Sequence, residues 1–199
     1  GNVLQTAVTT NSPTTGAPGY YNFTVDPGTY IVMVMAPTGT TISPNGPVNP
    51  TTGNTAPITV TSGSTNTTTD AGLYQAASIG NYVWEDTDKD GIQDGTELGV
   101  NGVTVQLKNA VGTILQTTTT STNPTTGGAG YYQFSNLTPA DFIVTFVTPL
   151  NYKVTSANTT GDALDSDIDA VTGNSPLTNL VSGESDQTID AGIYRQGSI

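Results

Sequence analysis

The sequence predicts an all-β protein organised as tandem β-sandwich repeats, and three observations carry that expectation. Thr supplies 39 of the 199 residues, and this β-branched residue packs well on pleated strands but loses rotamer freedom in helices. Charged residues make up only 10% of the chain, so the Glu, Lys and Arg that make helices persist are scarce. Apolar and polar residues also alternate in short runs that Gly, Pro and Asn punctuate.

The strands follow in order through the longer half of the chain. Residues 78–84 open it. Val103, Val105 and Leu107 share one face of the next strand after the Asn101-Gly102 turn, and residues 113–120 return from a turn at 109–112. Residues 130–134 follow Asn123-Pro124 and Gly127-Gly128, whose residue types favour turns. Phe142, Val144 and Phe146 then line a face beyond Thr138-Pro139, and 152–156, 186–189 and 192–194 complete the set. Because successive side chains point to opposite faces, the apolar rows are expected to form the core of a sandwich.

An internal repeat sets the domain organisation. Residues 4–21 (LQTAVTTNSPTTGAPGYY) match 115–132 (LQTTTTSTNPTTGGAGYY), Phe23 matches Phe134, and Tyr30-Ile31-Val32 matches Phe142-Ile143-Val144. Further on, Asp70-Ala71-Gly72-Leu73-Tyr74 matches Asp190-Ala191-Gly192-Ile193-Tyr194. Residues 77–196 read as one complete unit, residues 1–76 as a copy lacking the counterpart of 77 to about 111, and 197–199 as the start of a further unit. The joint between units is so short that the repeats are expected to stack as a semi-rigid rod.

Composition narrows the chemistry. Sixteen acidic residues face four basic ones, for a net charge of −12, with no His and no Cys. A Ser-His-Asp triad, a thiolate nucleophile, a disulfide framework and the usual zinc sites are thereby excluded, and no enzymatic activity is expected. Nucleic acid is an unsuitable partner because phosphate backbones are bound by clustered Lys and Arg. The longest apolar run, 30–36, is far below the roughly 20 residues that span a bilayer, so no membrane insertion is expected in this segment.

The segment 86–97, DTDKDGIQDGTE, carries the chemistry. With Asp86 as position 1, carboxylates fall at Asp88 (3), Asp90 (5), Asp94 (9) and Glu97 (12), Gly91 occupies position 6, and Ile92 at position 7 offers its backbone carbonyl. Each ligand position of a twelve-residue calcium loop is filled, on flanks that read as strands instead of helices. Five carboxylates around the single Lys89 repel one another unless a cation intervenes. A second cluster, Asp162, Asp165, Asp167 and Asp169, has alternate-residue spacing that suits a further Ca²⁺ or a solvated acidic loop. Asp190 is placed to complete a site from a neighbouring strand or to open a turn.

The run 80–94 (GNYVWEDTDKDGIQD), followed by Glu97, Gly99-Val100 and Val103-Thr104-Val105-Gln106-Leu107, resembles the SdrD B-like domain, named for the calcium-binding B repeats of serine-aspartate repeat surface proteins. The likeness extends to Gly130-Tyr131-Tyr132-Gln133-Phe134, Asp165-Ser166-Asp167 and the Asp190 to Tyr194 run. It implies CnaB-like, transthyretin-type β-sandwich domains that bind several Ca²⁺ ions and serve as a stalk or spacer of an adhesin or fibre at a bacterial surface. The implied partners are neighbouring repeats in cis or adjacent chains of a fibre. A recognition module binding a host or matrix protein by its loops or a sheet edge is the alternative. Related domains stiffen themselves with a Lys to Asn or Asp cross-link, for which Lys108 would be the donor, but the calcium loop is the alternative device. In the first copy only Pro- and Thr-rich sequence stands between Ile42 and Ile58, so the second acidic site is expected to be missing there.

Overall fold

The computed structural model describes residues 2–157 and 164–197, and among these every regular element is a β-strand. The chain divides into two compact units, Gly1–Ala36 with Ile42–Gly72 and Pro37–Thr41 with Leu73–Ile199. Four short strands come first: β1 (Gly28–Tyr30), β2 (Thr41–Ile42), β3 (Ile58–Val60) and β4 (Leu73–Tyr74). The second unit continues with β5 (Ala77–Glu85), β6 (Thr104–Asn109), β7 (Ile114–Thr119), β8 (Tyr131–Leu137), β9 (Asp141–Val147), β10 (Tyr152–Val154), β11 (Thr178–Asn179), β12 (Ser185–Asp186) and β13 (Ala191–Arg195).

The second unit is a sandwich of two sheets. One is centred on β5, which pairs antiparallel with β8 on one side, Ile79 opposite Phe134 and Tyr82 opposite Tyr131. On the other side β12 and β13 run parallel to successive halves of β5, at Ser78 and at Val83 to Glu85, and β10 closes the edge beyond β13. The other sheet is antiparallel, in the order β11-β9-β6-β7. Inward rows from both sheets meet in one core: Ile79 and Val83 of β5, Val105 and Leu107 of β6, Tyr132 and Phe134 of β8, and Phe142, Val144 and Phe146 of β9. Burying side chains of this size contributes about 1.5–3 kcal/mol each. Trp84 is also fully buried, and glycine at 192 makes room for it, since a Cβ there would come within 2.9 Å of the ring.

The strand boundaries depart from the expected ones where side chains compete with the ladder. The expected strand 186–189 is reduced to Ser185–Asp186, because Asp186 Oδ1 accepts from the Thr188 amide at 2.9 Å and its hydroxyl at 2.7 Å. Such a local bond turns the chain out of the sheet. The strand expected at 152–156 ends at Val154, although the Thr155 amide still reaches the Gly192 carbonyl at 3.0 Å. Strand β11, too short to show alternation, was not expected from the pattern.

In the first unit, β1 pairs antiparallel with β3, Tyr30 opposite Ile58. Only Ile42 and Val48 among its described apolar residues are buried. Its inward row, Tyr21, Phe23, Tyr30, Val32 and Val34, is half-buried.

Candidate metal centre

The loop after β5 is wound by its own carboxylates. Asp86 is fully buried, with Oδ1 accepting from the Lys89 amide at 2.6 Å and Oδ2 from the Gly91 amide at 2.9 Å. Asp90 Oδ1 accepts from the Ile92 amide at 2.8 Å. Glu97, also buried, closes the loop: Oε1 accepts from the Thr87 amide at 2.6 Å and Oε2 from the Asp94 amide at 3.2 Å. Gly91 has φ 83°, a left-handed conformation that glycine adopts without steric cost and that the bend at this position requires.

This winding brings the carboxylates together. One oxygen from each of Asp86, Asp88 and Glu97 lies within 4.8 Å of the others, and the same holds for Asp88, Asp90 and Asp94. Asp88 belongs to both sets, so the five carboxylates predicted from the spacing fall into two overlapping triads along one loop, with Asp88, Asp90 and Asp94 exposed and Asp86 and Glu97 buried. An all-oxygen donor set of this kind fits a hard cation and can hold one. Lys89 does not neutralise the loop; its ammonium lies over the Tyr194 ring, 4.9 Å from the centroid.

The second acidic segment is joined to the first. Ile92 bridges Asp165, the Gln93 amide donating to the Leu164 carbonyl at 2.7 Å and the Ser166 amide to the Gly91 carbonyl at 3.1 Å. Asp165, Ser166 and Asp167 are buried, and Asp167 Oδ2 accepts from the Asp190 amide at 2.7 Å. Asp190 is fully buried; Oδ2 accepts from Asn81 Nδ2 at 3.1 Å, and Oδ1 has no hydrogen-bond partner. Burial, then the charge of Asp167, pushes its carboxyl up to about 8, since both disfavour the ionised form. The same surroundings hold the buried Tyr132 phenol well above its ordinary value, through burial first and then the charges of Asp190, Asp167 and Asp186.

Two of the predicted residues stand apart. Asp162 lies outside the described residues. Asp169 is exposed and caps a turn, accepting from the Val171 amide at 3.1 Å and from the Thr172 amide and hydroxyl at 2.7 and 2.8 Å. Those bonds hold its carboxyl below the usual range. Asn49 makes the same turn in the first unit, accepting from Thr51 and Thr52 at 2.9 and 3.0 Å. Sequence reasoning missed Asn81 and the Thr87 to Glu97 bonds; neither has a signal in spacing, because each depends on where the chain returns.

The match to a known family falls on this unit, and matches to known proteins run through both. A family model described as the SdrD B-like domain matches residues 77–193. The chain is 38% identical over 201 residues, 98% of its length, to serine-aspartate repeat-containing protein D of Staphylococcus aureus strain Newman, and spans 14% of that protein. It is 36% identical over 192 residues to serine-aspartate repeat-containing protein F of Staphylococcus epidermidis, covering 94% of this chain and 10% of the relative. The chain thus spans only a small part of the curated relatives it matches. The family model covers more than half of the 199 residues and contains the loop 86–97, and the chain belongs to the SdrD B-like domain family.

Proposed function

We propose that this chain is a calcium-stabilised structural repeat, a stalk or spacer in an extracellular bacterial surface protein or fibre, and not a catalyst. The observation that carries the reading is the loop 86–97, in which five carboxylates form two close triads sharing Asp88 while two of them, Asp86 and Glu97, are buried. Buried like charges in one place are costly unless a cation compensates them. Asp86, Asp88, Asp90, Asp94, Glu97 and the Ile92 carbonyl would hold one Ca²⁺. Asp165, Asp167 and Asp190 would hold a further one, supported by the buried Asp190 Oδ1 that lacks a hydrogen-bond partner. In the first copy Asn45 and Pro47 stand where Asp165 and Asp167 stand in the second, which supports the absence of that site there.

On this reading residues 1–76 are a shortened repeat, 77–196 a complete one and 197–199 the opening of another, with neighbouring repeats as partners. The surface placement rests on the resemblance to the SdrD B-like family and on the acidic, Thr-rich composition; among the described residues no helix is long and apolar enough to cross a membrane. The test is calorimetry of the whole chain in Ca²⁺ and in EDTA, with calcium stoichiometry by titration. A ligand at about a thousand times its Kd adds about 4 kcal/mol to the state that binds it, so the melting temperature of the second unit should fall in EDTA. An unchanged melting temperature with no calcium uptake would refute the reading.

A further inference from the structure

Asn101-Gly102 forms the turn that leads into β6, and the chain has one other dipeptide of this kind, Asn45-Gly46. An asparagine followed by glycine is chemically reactive, because glycine has no Cβ to hinder its amide nitrogen or to restrict the backbone rotation that brings this nitrogen to the asparagine Cγ. Attack forms an N–Cγ bond and closes a succinimide ring. The Cγ–Nδ2 bond breaks, and ammonia leaves carrying the amide proton. Water then opens the ring at one of its two carbonyls, giving aspartate or, with the backbone rerouted through the side chain, isoaspartate.

At Asn101 the fold holds every group that this reaction needs. The Gly102 amide donates to the Thr120 carbonyl at 2.8 Å, so its proton is engaged. Asn101 Oδ1 accepts from the Gly130 amide at 2.7 Å and Nδ2 donates to Thr122 Oγ1 at 3.3 Å, which ties the side chain to two other segments. Thr120 is buried and clamps the turn from both sides: its Oγ1 donates to the Val100 carbonyl at 2.6 Å and accepts from the Val103 amide at 3.0 Å, and its own amide donates to the Val103 carbonyl at 2.9 Å. Asn45 is different. It is exposed, and among the described residues no hydrogen bond holds its side chain or the Gly46 amide.

We infer that Asn101-Gly102 is a deamidation site gated by the fold, closed while Thr120 clamps the turn and reactive whenever the turn opens. The modification works in one direction. Isoaspartate at position 101 adds a methylene to the backbone between Val100 and Val103, so both ends of the turn can no longer meet Thr120 together. Aspartate there keeps an oxygen for the Gly130 amide but gives up the donor to Thr122. Either product weakens the clamp, so an opening that lasts long enough for the chemistry leaves a permanent mark and makes the next opening easier. The turn lies in the second unit between β5 and β6, and the inference uses neither the calcium reading nor the repeat reading.

The experiment incubates the full chain in Ca²⁺ at mildly alkaline pH and follows deamidation by peptide mapping with mass spectrometry, with the urea-unfolded chain as reference. Asn45 in the same sample reports that the chemistry proceeds. Asn101 should react more slowly in the folded chain than in urea, on the order of a hundredfold, because its rate scales with the fraction of molecules in which the turn is open. Thr120→Val is close in shape and removes both hydroxyl bonds, so it should speed the reaction at Asn101 on the order of tenfold and leave Asn45 unchanged, with the emission of the buried Trp84 reporting that the unit is folded. Thr122→Val removes only the acceptor for Nδ2 and should speed it less; it carries the test if Thr120→Val does not fold. A folded-chain rate at Asn101 within a few-fold of the urea rate would overturn the gate. Folded variants at Thr120 and Thr122 that leave the rate unchanged would overturn the clamp as its cause.

Discussion

Asp190 and Asp167 hold each other through the backbone: the Asp190 amide donates to Asp167 Oδ2 at 2.7 Å, and the Asp167 amide donates to the Asp190 carbonyl at 3.0 Å. The arrangement fixes two buried carboxylates side by side, with Asp165 close enough to add its charge. Asn81 and the Tyr132 phenol complete the polar surroundings. Asn81 donates to Asp190 Oδ2 and the Tyr82 amide also hydrogen-bonds the carboxylate, yet burial beside Asp167 favours a proton or a cation there.

The proton case gives a pH dependence in EDTA. The folded-state value of Asp190 is about 8, above the ordinary carboxylate value of about 4 in the unfolded chain. A carboxyl raised on folding favours the folded state fully below the unfolded value, and the advantage is lost as pH rises towards the folded one. The metal-free second unit should therefore lose stability between about pH 4 and pH 8, by up to about 1.4 kcal/mol per pH unit from this group. Asp190→Asn should flatten that slope, as read by denaturant melts at stepped pH, and should reduce the gain from Ca²⁺. A slope unchanged by the substitution would show that other groups set it.

Asp169 behaves in the opposite sense. Its carboxyl is held low by the bonds from Thr172 and Val171, so its contribution is present above the ordinary carboxylate range and lost as pH falls through the lowered value. Asp169→Asn should keep the turn, as Asn49 does in the first unit, while losing the pH dependence that the carboxylate supplies and leaving calcium stoichiometry unchanged. Asp169→Ala should destabilise the turn without changing calcium uptake. Loss of a bound ion in either variant would make Asp169 a ligand.

Much of the fold was legible because strand alternation is local. Val105 and Leu107, or Phe142, Val144 and Phe146, declare a buried face with no knowledge of what covers it. The loop 86–97 was legible for the same reason, since its ligands lie within twelve residues and Gly91 marks the bend. The bridge from Ile92 to Asp165 was not legible, because nothing near either residue records that the chain returns there. Asp169 shared the spacing of Asp165 and Asp167 but faces its own turn, a choice made by Thr172 three residues on. Asp186 likewise ended a strand that the apolar pattern would have continued.

The shared tyrosine tie should weigh differently in the two units. Tyr132 is fully buried, and Tyr132→Phe would leave the Ile189 carbonyl without its donor in a dry site. A stability loss of about 1–3 kcal/mol is expected for an orphaned buried acceptor. Tyr21 is only half-buried, so water can replace its hydroxyl at the Thr69 carbonyl. Tyr21→Phe should cost less than half as much in urea denaturation. Equal losses would mean that the first unit is as well covered as the second.

The calcium loop offers a test that separates backbone shape from charge. Gly91 sits at φ 83° between Asp90 and Ile92, and its amide reaches Asp86 Oδ2 at 2.9 Å. Gly91→Ala keeps every carboxylate but forces a Cβ into a left-handed conformation, at a cost of roughly 1–2 kcal/mol. Glu97→Gln removes one charge and keeps a side-chain oxygen to accept from Thr87, giving up only the longer bond from the Asp94 amide at 3.2 Å. If the loop is a cation site, both variants should bind Ca²⁺ more weakly. Their metal-free stabilities should diverge, Gly91→Ala falling and Glu97→Gln holding or rising as repulsion with Asp86 and Asp88 is relieved. Isothermal titration with Ca²⁺, paired with melts in EDTA, reads both quantities. If Glu97→Gln lost stability in EDTA as steeply as Gly91→Ala, the Glu97 carboxylate would be holding the loop by its hydrogen bonds to Thr87 and Asp94, and the charge-repulsion argument for a cation would fall.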